Sequence, residues 1–190
     1  IKVKKGKSFA DGLKLKKKAK VFTDITYSTI SGGVLHLMFD EKTRLLIGNE
    51  SELRIKKFNI PNQKVHEVEI DLLKGSFQFK SLKKTITNLK ININGSDKSI
   101  ISNGLETNIG LLLNLDENSL KIANIGESTL KFMDQTFANG NYGTANLISN
   151  DLSFSINSDI NLKGDSLLGH VLGDYSCTQK GKKSQSGTGA

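Results

Sequence analysis

Apolar and polar side chains alternate one for one along most of this chain. In the stretch 34–39, Leu35, Leu37 and Phe39 point one way while Val34, His36 and Met38 point the other. Ser51, Leu53 and Ile55 alternate with Glu52, Arg54 and Lys56, and Leu89, Ile91 and Ile93 with Lys90, Asn92 and Asn94. Leu111, Leu113 and Leu115 are followed, across Asp116–Asn118, by Leu120 and Ile122, which reads as a hairpin. Leu152, Phe154 and Ile156 repeat the pattern near the end. A period of two marks a half-buried strand, because successive side chains leave opposite faces of an extended backbone. The three-and-four spacing of an amphipathic helix is not sustained over any window of a dozen residues.

Turn chemistry separates these runs at short intervals: Ser31-Gly32-Gly33, Gly48-Asn49, Asn94-Gly95-Ser96, Asn103-Gly104, Asn139-Gly140-Asn141 and Lys163-Gly164-Asp165. Gly and Asn tolerate the positive φ that tight hairpin turns demand. Many short strands with such turns, each with one polar face, predict an all-β fold with antiparallel pairing, either a β-sandwich or a stacked-hairpin β-roll. The expected organisation is a Lys-rich arm over 1–20, a β domain over 21–115, a continuing β region over 116–175 and a flexible Lys/Ser/Gly tail over 176–190. Val3, Phe9, Leu13 and Leu15 could give the arm a strand or two. Leu167, Leu168, Val171 and Leu172 have helical spacing, too short a run to persist without packing.

Composition narrows the class. At 190 residues the chain has room for one domain, or a domain with an extension. No apolar run approaches the roughly 20 residues of a membrane-spanning helix. The net charge of +8 suggests a nucleic-acid binder until it is located. Residues 1–20 hold nine lysines against Asp11 alone, which accounts for the whole excess. Lys4, Lys5, Lys7, Lys14, Lys16, Lys17, Lys18 and Lys20 are therefore the candidate polyanion contacts. The arm has no Arg and only Phe9 among the aromatics, so specific nucleic-acid recognition is not expected.

The residues of catalysis are sparse. His36, His66 and His170 show no metal spacing. His36 reads as a structural histidine on a strand face, and His66 as a loop or strand-start residue whose local partner would be Glu67. Cys177 stands alone, which excludes an intramolecular disulfide and a cysteine metal cluster and leaves a free thiol. Asp40, Glu41, Glu50 and Glu52 flank one predicted hairpin and could converge, as glycoside hydrolysis would require. Asn92-Ile93-Asn94-Gly95-Ser96-Asp97 is faintly like a calcium loop but lacks its alternating acids and closing Glu. No phosphate loop or nucleophile elbow occurs. The expectation is a protein without catalytic residues, metal or cofactor.

One stretch carries more. Val34-Leu35-His36-Leu37-Met38-Phe39 is followed by Asp40-Glu41-Lys42-Thr43 and then by Leu45-Leu46-Ile47-Gly48-Asn49-Glu50-Ser51-Glu52-Leu53-Arg54-Ile55. After Pro61 come Ile70-Asp71-Leu72-Leu73-Lys74-Gly75-Ser76-Phe77-Gln78-Phe79. In order and spacing, residues 21–79 resemble the conserved region of FecR-like domains of Gram-negative bacteria. Two positions depart from that pattern. Glu41-Lys42 replaces the usual Asp-Gly of the hairpin turn, and Thr107-Asn108-Ile109-Gly110-Leu111-Leu112-Leu113-Asn114 keeps the family's Ile-Gly but not its Arg. The matching positions Phe39, Thr43, Gly48, Ser51, Leu53, Gly75, Phe77 and Phe79 read as scaffold. The resemblance implies a periplasmic, surface or secreted module that binds a protein partner or relays a signal to a sigma-factor regulator. The rival expectation is a surface structural or adhesive protein, held to an anionic glycan or lipid headgroup of the cell envelope by its lysine arm.

Overall fold

The structure, a computed structural model, describes residues 2–5, 7–16, 19–40, 43–62, 65–81 and 85–156. The expected helical run at 164–175, the tail at 176–190, His170 and Cys177 lie outside the described residues. The strands are β1 (Lys2–Lys5), β2 (Ser8–Ala10), β3 (Leu13–Lys14), β4 (Ile25–Thr29), β5 (Val34–Met38), β6 (Thr43–Ile47), β7 (Glu52–Asn62) and β8 (Val65–Ser81). They continue as β9 (Ile86–Ile93), β10 (Ser99–Leu105), β11 (Asn108–Asn114), β12 (Ser119–Asn124), β13 (Thr129–Phe132), β14 (Gln135–Phe137), β15 (Asn141–Asn146) and β16 (Leu152–Ile156). The all-β expectation holds. The alternating runs at 34–39, 89–93, 111–122 and 152–156 fall on β5, β9, the β11–β12 hairpin and β16.

β8 organises everything else. At 17 residues it is far longer than a usual strand, and it belongs to two sheets. Its first part pairs with β7 and β9, and its part beyond Lys74 pairs with β6 and β11. One sheet therefore runs β1-β5-β6-β8-β11-β12-β15-β16, and the other β3-β2-β4-β7-β8-β9-β10-β13-β14. After β8 the chain lays down hairpins in alternation: β9–β10 in the second sheet, β11–β12 in the first, β13–β14 in the second and β15–β16 in the first. This is the stacked-hairpin roll, closed over a core between the sheets. Leu45, Ile47, Phe77, Phe79, Ile109 and Leu111 fill it from one side, with Leu53, Ile55, Ile70, Leu72, Leu89 and Ile91 from the other.

The bend in β8 can be read from its side chains. His66, Val68, Ile70 and Leu72 are buried at even positions, whereas Phe77, Phe79 and Ser81 face the core at odd ones. The phase slips at a bulge, where Glu52 pairs with Lys74 but Leu53 with Leu72. Gly75 takes φ +77° there, and a Cβ on it would lie 2.7 Å from the backbone Cα of Ser51. The strand then doubles back. Ser81 pairs with Thr43, whose hydroxyl bonds His66, so both ends of β8 come together. This explains a departure from the antiparallel expectation: β9 starts beside the beginning of β8 and runs parallel to it, Val65 opposite Ile86 through Leu72 opposite Ile93. The returning half of β8 supplies the crossover that a parallel pair requires.

Three of the predicted turns hold positive φ at their glycines, at Gly32, Gly95 and Gly140; at Gly48-Asn49 it is Glu50 that takes positive φ, and Lys163-Gly164-Asp165 lies outside the described residues. Asn103-Gly104 is an exception. It lies inside β10, where Gly104 lets the backbone pass the Ser128 side chain, 3.1 Å from where its Cβ would stand. The chain turns just afterwards, with Glu106 at φ +52°. At 1–20, β1 joins the first sheet through β5, and β2 and β3 join the second through β4.

Gly75→Ala should be costly on two counts, the left-handed conformation and the collision with Ser51. The expected loss is about 2–4 kcal/mol, the sum of a left-handed penalty of about 1–2 kcal/mol and an overpacking cost of similar size. Urea unfolding followed by circular dichroism measures it, and a loss below about 0.5 kcal/mol would show that the bend does not depend on glycine.

Candidate functional site

Two polar clasps hold the roll. At the bend, the Ser51 hydroxyl accepts the Ser76 N–H at 2.8 Å and donates to the Asn49 carbonyl at 2.8 Å. The Gly48 N–H donates to the Ser76 carbonyl at 2.8 Å, and the buried Thr29 hydroxyl donates to the Gly48 carbonyl. Gly48, Ser51 and Gly75, read from sequence as scaffold, thus meet at one corner, while Leu53, Phe77 and Phe79 are wholly buried in the core beside it.

The second clasp closes the opposite end. His66 is 1 % exposed and aims into the interior from the start of β8. Its Nδ1 lies 2.8 Å from the Thr43 hydroxyl and its Nε2 3.3 Å from Asp40 Oδ2. Because a carboxylate only accepts, Nε2 is the nitrogen that donates toward Asp40, while Nδ1 shares a hydrogen bond with the Thr43 hydroxyl. Asp40 uses its other oxygen to accept the Thr43 N–H, which ties off the β5–β6 loop. The Phe58 ring meets His66 edge-on at 5.6 Å, and Phe39 stacks on Phe58 at 4.2 Å. An Asp–His–Thr trio has the composition of a nucleophile relay, but the Thr43 hydroxyl is sealed in the core with the ring. Its work is to fasten β5–β6 to β8.

This corrects the reading of His66. It does not pair with Glu67, which leaves the opposite face of β8 and meets Lys57 at 2.7 Å. Of the acids expected to converge, Glu41 lies outside the described residues, and Asp40 is separated from Glu50 and Glu52. Asp40 lies at one end of β6, while Glu50 and Glu52 lie beyond the other, about 15 Å away along a five-residue strand. Glu52 instead faces Lys74 at 4.0 Å. Asn92, at the start of the calcium-like run, is used up in the sheet: it donates to Glu69 at 3.0 Å and Asp71 at 2.7 Å and accepts from Ser99 at 2.9 Å. Lys98 sits on Asp97 at 3.1 Å. Among the described residues no group of three or more His, Cys, Asp or Glu side chains converges as a metal site would require. His36 is buried on β5, as expected of a structural histidine.

A groove of about 450 Å³ opens beside the second clasp, lined by Lys20, Val21, Phe22, Thr23, Met38, Phe39 and Phe58. Its outer wall is the segment before β4. The Tyr27 hydroxyl accepts the Phe22 N–H at 2.8 Å and donates to the Phe22 carbonyl at 3.1 Å, so both backbone groups of Phe22 are pinned. Burial pushes the Tyr27 phenol above its ordinary pKa, so it stays a donor. The Phe22 ring itself is 59 % exposed. Lys20 was singled out in sequence as a polyanion contact, whereas Phe22 and Phe58 were not. Their only signal was an aromatic residue beside lysines, in Lys20-Val21-Phe22 and Lys56-Lys57-Phe58. Of the other arm lysines, Lys7, Lys14 and Lys16 are exposed. Lys4 and Lys5 lie on β1, their side chains outside the description, and Lys17 and Lys18 lie outside the described residues.

On the outer face of the second sheet, Glu69 is held below the usual carboxylate range, first by the Asn92 amide and further by Lys90 at 3.6 Å. Lys57 does the same for Glu67 through its hydrogen bond and charge.

No family model matches this chain, and no curated protein matches it. Two crystal structures of a "putative anti-sigma factor" from Parabacteroides distasonis ATCC 8503 are similar to it, each with a TM-score of 0.51. They share 7 % and 8 % sequence identity with it over 69 % of its length, and the chain spans 59 % of theirs. At that identity the likeness is one of fold.

Two outcomes follow from this geometry. Thr43→Val and His66→Phe should each cost about 1–3 kcal/mol by leaving a buried polar partner unmatched, and the double variant should cost clearly less than their sum. Equal and additive losses in denaturant unfolding would show that the two side chains do not bond. Separately, a depressed folded pKa means that Glu69 contributes stability above its unfolded value near ~4.3, and that this is lost as pH falls below that value. Asn92→Ala removes the main cause, so its stability should fall less between roughly pH 5 and pH 3 than that of the parent chain. Parallel pH profiles of the unfolding midpoint would contradict the assignment.

Proposed function

We propose that this chain is a non-enzymatic, partner-binding β module of the cell envelope, of the FecR-like, sigma-factor-regulator type, and that it works in the periplasm or at the cell surface. The observation that carries this reading is the likeness in fold to the Parabacteroides anti-sigma structures. The FecR-like stretch at 21–79 points the same way independently, and its residues are the ones that clasp β5, β6, β7 and β8 together. A rigid roll with polar work done inside it and loops at its ends suits recognition of another protein by surface and edge contacts. Adhesion through the lysine arm is the second reading. It is favoured by Lys7, Lys14 and Lys16, which are exposed and make no ion pair among the described residues.

The relay reading is tested by overproducing the full chain, exported, in a bacterium that encodes it and carries a reporter driven by the cognate sigma factor. Competition with the resident regulator should change reporter output several-fold, and should weaken for the destabilised Gly75→Ala chain in proportion to its loss of folded protein. An unchanged reporter, with folded chain recovered from the periplasm, would overturn it. For the adhesive reading, heparin serves as the probe. Binding that collapses between low and moderate salt and disappears when Lys7, Lys14 and Lys16 are together replaced by Gln would favour attachment over relay.

A further inference from the structure

The groove beside the second clasp has features that the fold does not require. An aromatic ring is held out in solvent on a backbone fixed at both its N–H and its carbonyl by one buried phenol. What sets Phe22 apart from the other exposed apolar residues is that its backbone is fixed and its ring lines a groove, and aromatic anchors on preorganised backbone carry most of the energy of protein contacts. The floor is equally set: Phe39 stacks on Phe58, and Phe58 is braced edge-on by the His66 ring, itself bonded at both nitrogens. Met38 adds a soft, adaptable wall. Among the described residues lining the groove the one charged side chain is Lys20, which is exposed and makes no ion pair with any described residue. Asp40 lies behind Phe39 with its carboxylate turned to the Thr43 N–H and His66.

We infer that this groove is the docking site for a protein partner, and that the partner presents an aromatic or leucine side chain flanked by acidic residues. The anchor side chain enters between Phe22 and the Phe39–Phe58 pair, and a neighbouring carboxylate meets Lys20. Charge complementarity selects an acidic segment over a basic one. The partly open form of the groove suits one side chain of an extended segment better than the enclosed hydrocarbon of a fatty acid. The inference rests on the binding-module reading and specifies its partner.

The test is a titration of the isotope-labelled full chain, followed by NMR. The probes are the acetylated peptide Gly-Asp-Leu-Phe-Asp-Gly, its counterpart with Lys for Asp, its counterpart with Ala for Leu and Phe, and decanoate. The acidic aromatic peptide should produce saturable shifts at Phe22, Met38 and Phe58 that weaken with added salt. Phe22→Ala should weaken it about tenfold or more and Lys20→Glu about fivefold, as expected for truncating an anchor and reversing a rim charge. Both positions are exposed, and the spectrum of each variant verifies its fold. Equal binding of the basic peptide, or of the alanine peptide, overturns the proposal. Decanoate binding in place of the peptides overturns it in favour of a small amphiphile, and an absence of shifts at millimolar peptide overturns it outright. The titration reads this surface alone and the sigma reporter reads the relay alone. Peptide binding with a silent reporter would therefore keep the groove and discard the relay, and the reverse result would discard the groove only.

Discussion

The architecture depends on one strand serving two sheets. β8 can do so only because the chain reverses at Gly75, where a left-handed backbone and a missing Cβ coincide with the close approach of Ser51. Each half of β8 is flanked on both sides, so neither half has a free edge, and four separate strands take their register from it. The inward phase of the side chains, even before the bend and odd after it, then fixes which residues of every neighbour reach the core.

The sandwich has two ends, and a different chemistry secures each. At the bend, backbone groups of Gly48 and Ser76 meet small hydroxyls from Thr29 and Ser51, an arrangement that works because nothing bulky intervenes. At the opposite end an imidazole makes the connection, with Thr43 on one nitrogen and Asp40 on the other. Burying these groups is tolerable because every partner is present, and the same completeness makes them sensitive to single substitutions. The second clasp also sets the aromatic floor on which the groove is built, so scaffold and recognition share side chains there.

Much of the fold was legible from the period of two and from turn residues, since both report local backbone geometry. The alternation at 89–93 and at 111–122 marked its strands, and Gly32, Gly95 and Gly140 marked their turns. Long-range consequences were less visible. The parallel β8–β9 pair follows from the reversal of β8, and a glycine in a run such as Lys74-Gly75-Ser76 gives no sign of whether the chain turns back or bulges. Asn103-Gly104 misled for the same reason, because a dipeptide that favours a hairpin also suits a strand passing close to Ser128. His66 was matched with its sequence neighbour Glu67, although adjacent residues on a strand point apart. Its real partners lie at the far tip of another hairpin. The groove was the least legible part, since it is assembled from the segment before β4, the tip of β5 and the middle of β7.

Alternation of hairpins between the two layers has a bearing on how such a chain can vary in length. Each pair after β8 brings its own inward row and lies against the pair before it, so a descendant sequence could gain or shed whole β-meanders without reopening the layers already closed. The connections at 106–107, 125–128 and 138–140, which join one hairpin to the next, are the natural joints for such growth. Single-residue insertions within a strand would be poorly tolerated, because each reverses the facing of all that follows it. Divergence in relatives should therefore come in steps of a hairpin, at the C-terminal end of the stack, with the β5–β8 unit left intact.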